Sequence, residues 1–194
     1  MRHDESEPPL MPSVAAQPIA APGNVPELSD AGVLALDDAW LRNALEAHHV
    51  ESYGWALSCC RRRRDEAENV LQLVYVKVLS GKAVFDGKSS FKTWLFAVIR
   101  KTAAHEHRME LLRRLRLSQI PRALDGKPPG EQHGVEIRLK EALGKLPARQ
   151  REVLQLVFYH DLSIVEAAKV MGVGIGSART HYERGKKQMR RWLA

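Results

Sequence analysis

The chain has 194 residues, with 30 Lys and Arg against 23 Asp and Glu and a formal net charge of +7. Hydrophobic residues make up 44% of it and aromatic residues 6%, which permits a core but disfavours an aromatic-rich β-sandwich. No run approaches the roughly 18 apolar residues of a membrane span, and the first residues lack a secretory pattern. Composition therefore favours a small, cytoplasmic, helical protein whose excess positive charge attracts an anionic partner.

The chain opens with a segment that is rich in proline and alanine. Residues 1–33 combine repeated helix breakers with few large apolar side chains. Such a segment has little surface to bury, so residues 1–33 are predicted to form a disordered tail.

Apolar residues then recur at helical spacing over residues 34–117, without the alternation typical of a sheet. The first part of this region predicts one or two helices that are interrupted near Gly54. Asp65 and Glu68 have the spacing of a capping box, which predicts a helix that runs to Leu79. Its predicted buried side consists of Val70, Leu71, Val74, Val78 and Leu79.

A further helix is predicted after a loop that contains Gly81 and Gly87. It begins near Phe91 and continues through a basic stretch to Arg116. Residues 34–117 are therefore predicted to be an all-α domain.

Prolines and glycines return in residues 118–134, which predicts a flexible linker. The helical pattern resumes over residues 135–194, with Pro147 placed where the first turn of a helix tolerates it. The overall prediction is an all-α protein with two small helical domains on a tether.

The second domain contains the most informative local pattern. Ser163 and Glu166 form an S-x-x-E capping box for a short helix, and Gly172 follows in a tight turn. A longer basic helix then begins near Ile175 and runs to about Trp192, with Ala178, Tyr182, Gly185, Met189 and Trp192 or Leu193 on its packing side. This order is the helix-turn-helix arrangement, whose second helix fits the major groove of DNA.

Several stretches, taken together, resemble one protein family. LGKLPARQREVL (residues 143–154) and the helix-turn-helix closely resemble region four of bacterial sigma factors of the extracytoplasmic-function group. DEAENVLQ (residues 65–72) resembles the region-two helix that binds the RNA polymerase clamp, and FKTWLF (residues 91–96) resembles the segment ahead of the helix that engages the melted promoter. The resemblance covers most of residues 34–193.

This resemblance implies a dissociable subunit of RNA polymerase that directs promoter-specific initiation and performs no chemistry. Region two would capture unpaired bases of the minus-ten element, and region four would read the minus-thirty-five duplex. The expected duplex contacts are Ser177, Arg179, Thr180, Glu183 and Arg184. The expected contacts to the melted strand are Lys92, Arg100, Lys101, His105 and Arg108, and those to the clamp are Glu68, Asn69, Gln72 and Leu73.

Two positions of the clamp-binding helix depart from the family pattern. Asn69 and Leu73 stand where the family usually has acidic residues, which weakens the expected attraction to a basic clamp. An added negative charge could compensate, so phosphorylation by an activating kinase at Ser58, Tyr75 or Ser80 is a hypothesis. An anti-sigma factor is a further expected partner.

Other chemistry finds little support in the sequence. His48, His49, Cys59 and Cys60 lack a third spaced pair of ligands, so they predict surface histidines and buried thiols rather than a metal site. No nucleophile elbow, P-loop or metalloprotease motif is present, and neither enzyme activity nor a cofactor is expected.

Two alternatives to a sigma factor stay open at this stage. The first is a sigma-like decoy that sequesters an anti-sigma factor without starting transcription. The second is a DNA-binding regulator that uses only its helix-turn-helix and works without polymerase.

Overall fold

The computed structural model describes residues 38–116 and 141–193, and all regular secondary structure in these two ranges is helical. The first half contains α1 (Asp38–Ala47), α2 (His49–Cys59), α3 (Arg64–Leu79) and α4 (Phe91–Arg116). The second half contains a short helical stretch at 141–145, then α5 (Ala148–Phe158), α6 (Ile164–Met171) and α7 (Ile175–Leu193).

The prediction of an all-α protein with a helix-turn-helix is confirmed for the described ranges. The tail predicted over residues 1–33 and the linker predicted over residues 118–134 lie outside the described residues. Within the described residues, every helix is too short or too polar to cross a membrane.

The break between the first two helices differs from the prediction. It falls at His48, whereas Gly54 lies inside α2. A glycine inside a helix is destabilising relative to alanine by roughly 0.5–1 kcal/mol. Packing from the two neighbouring helices, α3 and α4, outweighs that cost and holds α2 continuous.

The start of α3 also corrects a prediction. Its N-cap is Arg63, which makes no side-chain capping bond, so the proposed capping box of Asp65 and Glu68 is wrong. Arg61 and Arg62 instead adopt left-handed backbone angles (φ of 53° and 64°), and the Arg62 amide donates to a carbonyl of α2. This backbone turn sets the start of α3, and Asp65 is left in its first turn, where a negative charge is favourable.

The first half packs around Trp55, which is 1% exposed. The Trp55 indole donates to the carbonyl of Phe96 at 3.0 Å, and the two rings are stacked. Val70, Leu71, Val74 and Val78 of α3 are buried as predicted, but Leu79 is exposed. Trp40 and Trp94 are half-buried and contact the aromatic rings of Phe85 and Phe91.

The helix-turn-helix is formed as the sequence predicts. Both hydrogen bonds of the Ser163–Glu166 capping box are present at the start of α6. Gly172 ends α6 with a φ of 64°, the left-handed angle that favours glycine. On α7, Ala178 and Gly185 are buried and Tyr182 and Met189 are half-buried, whereas Trp192 and Leu193 are exposed, contrary to expectation.

The two halves pack directly against each other. α6 lies against α4, and buried residues of α5 and α6 join those of the first half in one hydrophobic cluster. The sequence indicated a tether between the halves but gave no sign of this contact.

Candidate nucleic-acid interface

The outer face of α7 has the form expected of a duplex-reading helix. Ala178 and Gly185 face inward, and this orients the opposite side of the helix toward solvent. The predicted duplex contacts all lie on exposed positions: Ser177, Arg179, Thr180, Glu183 and Arg184. The Thr180 hydroxyl donates to the Gly176 carbonyl at 3.0 Å, one turn earlier in the same helix.

Charge on this face extends beyond the predicted set. Lys186 is paired with Glu183 at 2.9 Å and lies over the Tyr182 ring, 4.4 Å from its centroid. Lys187, Arg190 and Arg191 continue the exposed basic surface toward the end of α7. The sequence-based prediction did not include these three residues in the site, although their positions after Arg184 on the same helix indicate a continuous basic surface.

The structure divides the predicted melted-strand residues on α4 into two groups. Lys101, His105 and Arg108 are exposed and follow one another at helical spacing. Lys92 and Arg100 are instead engaged in ion pairs. Lys92 contacts Glu51 at 2.7 Å within the first half, and Arg100 pairs with Glu152 of the second half.

The predicted clamp-binding face of α3 is accessible. Glu68, Asn69 and Gln72 are exposed and Leu73 is half-buried. Val76, which lies one turn beyond Gln72, is 61% exposed and extends this face with an apolar side chain that the sequence-based prediction left out. The sequence did contain an indication of this position, because Val76 follows the predicted contact Gln72 by four residues and therefore lies on the same face of the helix.

The residues singled out for modification differ in access. Ser80 is exposed at the end of α3, whereas Ser58 and Tyr75 are half-buried. The Ser58 hydroxyl donates to the Gly54 carbonyl, and Tyr75 Oη lies 3.0 Å from His49 Nδ1. Burial raises the pKa of Tyr75 to about 12, so this phenol is neutral at physiological pH.

Cys59 and Cys60 line a cavity of about 640 Å³ that opens between the two halves. Burial is the main cause that raises the pKa of both thiols, that of Cys60 to about 11. Both cysteines are free and would be protonated at neutral pH. Across residues 38–116 and 141–193, no three His, Cys, Asp or Glu side chains group closely enough to hold a metal ion.

Comparison with family models identifies both halves. Residues 44–111 match sigma-70 region 2, and residues 136–189 match sigma-70 region 4. The two matches occur in the order and at the positions of the two helical groups described above.

Comparison with individual proteins gives the same result. The ECF RNA polymerase sigma factor SigX of Bacillus subtilis is 31% identical over 157 residues, which cover 76% of this chain and 80% of SigX. The RNA polymerase sigma factor SigV of the same species is 28% identical over 153 residues, covering 78% of this chain and 90% of SigV. The fold is similar to that of sigma factor RpoE of Bartonella quintana, solved with the anti-sigma factor NepR, at a TM-score of 0.64 and 22% identity over 78% of this chain and 95% of RpoE.

Proposed function

The chain belongs to the extracytoplasmic-function group of bacterial RNA polymerase sigma factors, and on this basis we propose which of its surfaces meet polymerase and promoter. As an alternative sigma factor it binds core RNA polymerase and directs promoter-specific transcription initiation. Members of this family are non-enzymatic initiation factors. The chain therefore supplies recognition, and we assign it no catalytic residue or cofactor.

The minus-thirty-five element is assigned to α7, and the exposed basic face of that helix is the observation that carries the proposal. A helix fits the major groove, where an arginine can donate two hydrogen bonds to one guanine. Arg179 and Arg184 are the proposed base readers, with Ser177, Thr180 and Glu183 beside them. Lys187, Arg190 and Arg191 are proposed to contact phosphates.

The melted minus-ten strand is assigned to α4. Lys101, His105 and Arg108 form an exposed stripe that can follow a single strand by charge. Lys92 and Arg100 belong to the same proposed surface, although both are engaged in ion pairs in this arrangement.

The polymerase clamp is assigned to the exposed face of α3. Glu68, Asn69, Gln72 and Leu73 form the proposed contact, and Val76 extends it with an apolar side chain. Glu68 and Asp65 leave two acidic side chains on the exposed surface of this helix. They would provide the remaining attraction to a basic clamp.

Regulation and location are also proposed. SigX and SigV are named as sigma factors, and RpoE was solved with an anti-sigma factor bound. We assign an anti-sigma factor as a partner of this chain and the cytoplasm as its location, because its polymerase and promoters are there. If a kinase controls the clamp-binding helix, the exposed Ser80 is the accessible target among the three hypothesised positions.

Run-off transcription with purified core polymerase tests the assignment of α7. The double variant Arg179→Ala/Arg184→Ala should lose at least about tenfold of the promoter-specific product, because each base-reading pair contributes about 1–3 kcal/mol. Lys145→Ala removes an exposed positive charge away from α7 and is the matched control. An equal loss of product in the control would mean that the loss reflects total positive charge and not base reading by α7. If the wild-type protein binds an anti-sigma factor but forms no product, the chain would instead be a decoy.

A further inference from the structure

An ion pair across the two halves neutralises one of the proposed melted-strand residues. Arg100 of α4 donates through Nε to Glu152 of α5, and both side chains are largely shielded from solvent, at 23% and 16% exposure. A carboxylate engages a guanidinium much as a phosphate does. Glu152 therefore occupies the place on Arg100 that a nucleic-acid anion would take.

A histidine from the second half is inserted into the core of the first. His160 is 2% exposed and meets the rings of Phe96 and Trp55 edge-on, at centroid distances of 4.9 and 5.7 Å. Asp161 follows it with a left-handed φ of 55°, a backbone conformation in which the chain turns back toward α6. Gly54 leaves room on α2, since a Cβ there would lie 3.8 Å from His160 Cε1.

The capping carboxylate of α6 makes a third contact between the halves. One oxygen of Glu166 closes the capping box with Ser163, and the other accepts from the hydroxyl of Thr93 at 3.2 Å and lies 3.5 Å from the hydroxyl of Ser90. The start of α6 is thereby joined to the start of α4. Lys169 adds a bond from its Nζ to the carbonyl of Lys88 at 2.9 Å.

The polar groups of these contacts keep local partners if the halves separate. Glu152 also accepts from Arg149 at 3.2 Å, within its own helix. Glu166 retains Ser163, and the hydroxyl of Ser90 donates to that of Thr93 at 2.8 Å. Separation would thus free Arg100 without leaving these carboxylates unpaired, and its main cost is the exposure of the apolar residues of α5 and α6 that pack against the first half.

The distance between promoter elements makes such opening necessary. By their names the minus-ten and minus-thirty-five elements lie about 25 base pairs apart, or about 85 Å at 3.4 Å per base pair. In this arrangement α6 contacts both α4 and α7, so the two reading helices are separated by roughly two helix spacings of 8–10 Å each. The chain from Arg116 to Glu141 can reach about 80 Å when extended, which allows the halves to part.

We propose that Glu152 and His160 hold the free sigma factor in a closed form in which Glu152 competes with the melted promoter strand for Arg100. This inference rests on the assignment of α4 to the minus-ten strand. In the closed form the duplex-reading face of α7 is accessible, whereas Arg100 becomes available only after opening. In the closed form, therefore, Arg100 cannot bind the melted strand until the halves separate.

The first experiment measures opening through the alkylation rate of Cys59, in a Cys60→Ala background of the full chain. Cys59 is half-buried in the cavity between the halves, which Arg100 and Glu152 also line, so separation of the halves exposes its thiol further. Glu152→Gln and His160→Ala should each raise the rate several-fold, and His160→Ala is the decisive variant because the Glu152 carboxylate by itself raises the pKa of the Cys59 thiol. Glu141→Gln, which removes an exposed carboxylate of the second half that lines neither the cavity nor the contact between the halves, should leave the rate unchanged. Equal rates in all four proteins would overturn the closed form.

The second experiment measures binding of a fluorescein-labelled oligothymidylate by anisotropy. Glu152→Gln should bind about tenfold more tightly, as expected for a freed charge-assisted contact. The gain should vanish in an Arg100→Ala background and should exceed the gain of Glu141→Gln. An equal gain with and without Arg100 would show that no competition for this guanidinium exists.

Run-off transcription separates failure of this inference from failure of the proposed function. If the wild-type protein gives no promoter-specific product with core polymerase, the proposed function is disproved. The other outcome is that the wild-type protein forms the product but Glu152→Gln changes neither the alkylation rate of Cys59 nor the binding of oligothymidylate. This outcome would disprove only the closed form.

Discussion

Gly54 and Gly185 both lie inside helices, but a side chain would meet different surroundings at each position. At Gly54 an added Cβ would find His160 Cε1 at an ordinary contact distance of 3.8 Å. At Gly185 it would lie 3.0 Å from Leu154 Cδ1 and 3.4 Å from the Cβ of Gln150. Sequence reasoning placed Gly185 correctly on the packing side of α7 but expected a helix break at Gly54, because local patterns do not show which glycine a neighbouring helix requires.

We predict opposite effects of alanine at these two glycines. Gly185→Ala should lower the free energy of unfolding by about 1 kcal/mol or more, because overpacking against the buried Leu154 outweighs the gain in helix propensity. Gly54→Ala should raise it by up to about 1 kcal/mol. Thermal and urea unfolding of the two variants checks this. A stabilised Gly185→Ala protein would mean that Leu154 can move aside.

Two capping motifs were predicted at the scale of the helix, and only one formed. Ser163 and Glu166 cap α6, and both reciprocal hydrogen bonds of the box are formed. Asp65 and Glu68 do not cap α3, because the left-handed turn at Arg61 and Arg62 starts the helix one residue before Asp65. Helical periodicity located α3 and its buried side, whereas the preceding tertiary turn decided where the helix begins.

The exposed face of α3 yields a prediction about polymerase affinity. Asn69→Asp restores an acidic group at an exposed position without changing side-chain size. It should strengthen binding to core polymerase by about two- to fivefold, a typical contribution of an exposed charge pair. Competition binding against the wild-type chain measures the change.

Asn43→Asp on α1 is the control for this substitution, since Asn43 is also exposed and the charge change is the same. It should have little effect on polymerase binding. Equal affinities of the two variants would argue against α3 as the clamp-binding surface.

For the molecule as a whole, the pH response follows from the burial of His160 between the halves. Burial and the charge of Lys92 lower the pKa of His160 to about 4, while Glu51 and Asp161 act in the opposite direction. After opening, the ring regains the ordinary pKa of about 6.5. The closed form is therefore fully stable above pH 6.5 and weakens as the pH falls toward 4, because protons bind the open form more readily.

We predict that the ratio of closed to open protein falls about tenfold between pH 7.5 and 5.5. The intrinsic fluorescence of Trp55, which contacts the imidazole ring, should change over this interval.

His160→Gln removes the titrating ring and is the control for this prediction. It should abolish most of the fluorescence change between pH 7.5 and 5.5. The same pH profile in the wild-type and His160→Gln proteins would assign the response to other groups.

The sequence by itself determined the helical class, the two groups of helices, the helix-turn-helix and the exposed faces of α3 and α7. These features depend on periodicity and on capping within a few residues, which the local sequence encodes. Only the tertiary structure decided that Arg100 pairs with Glu152, 52 positions away, and that His160 enters the core of the first half. Such contacts depend on how complete helices pack against each other, and no spacing within a single helix specifies that packing.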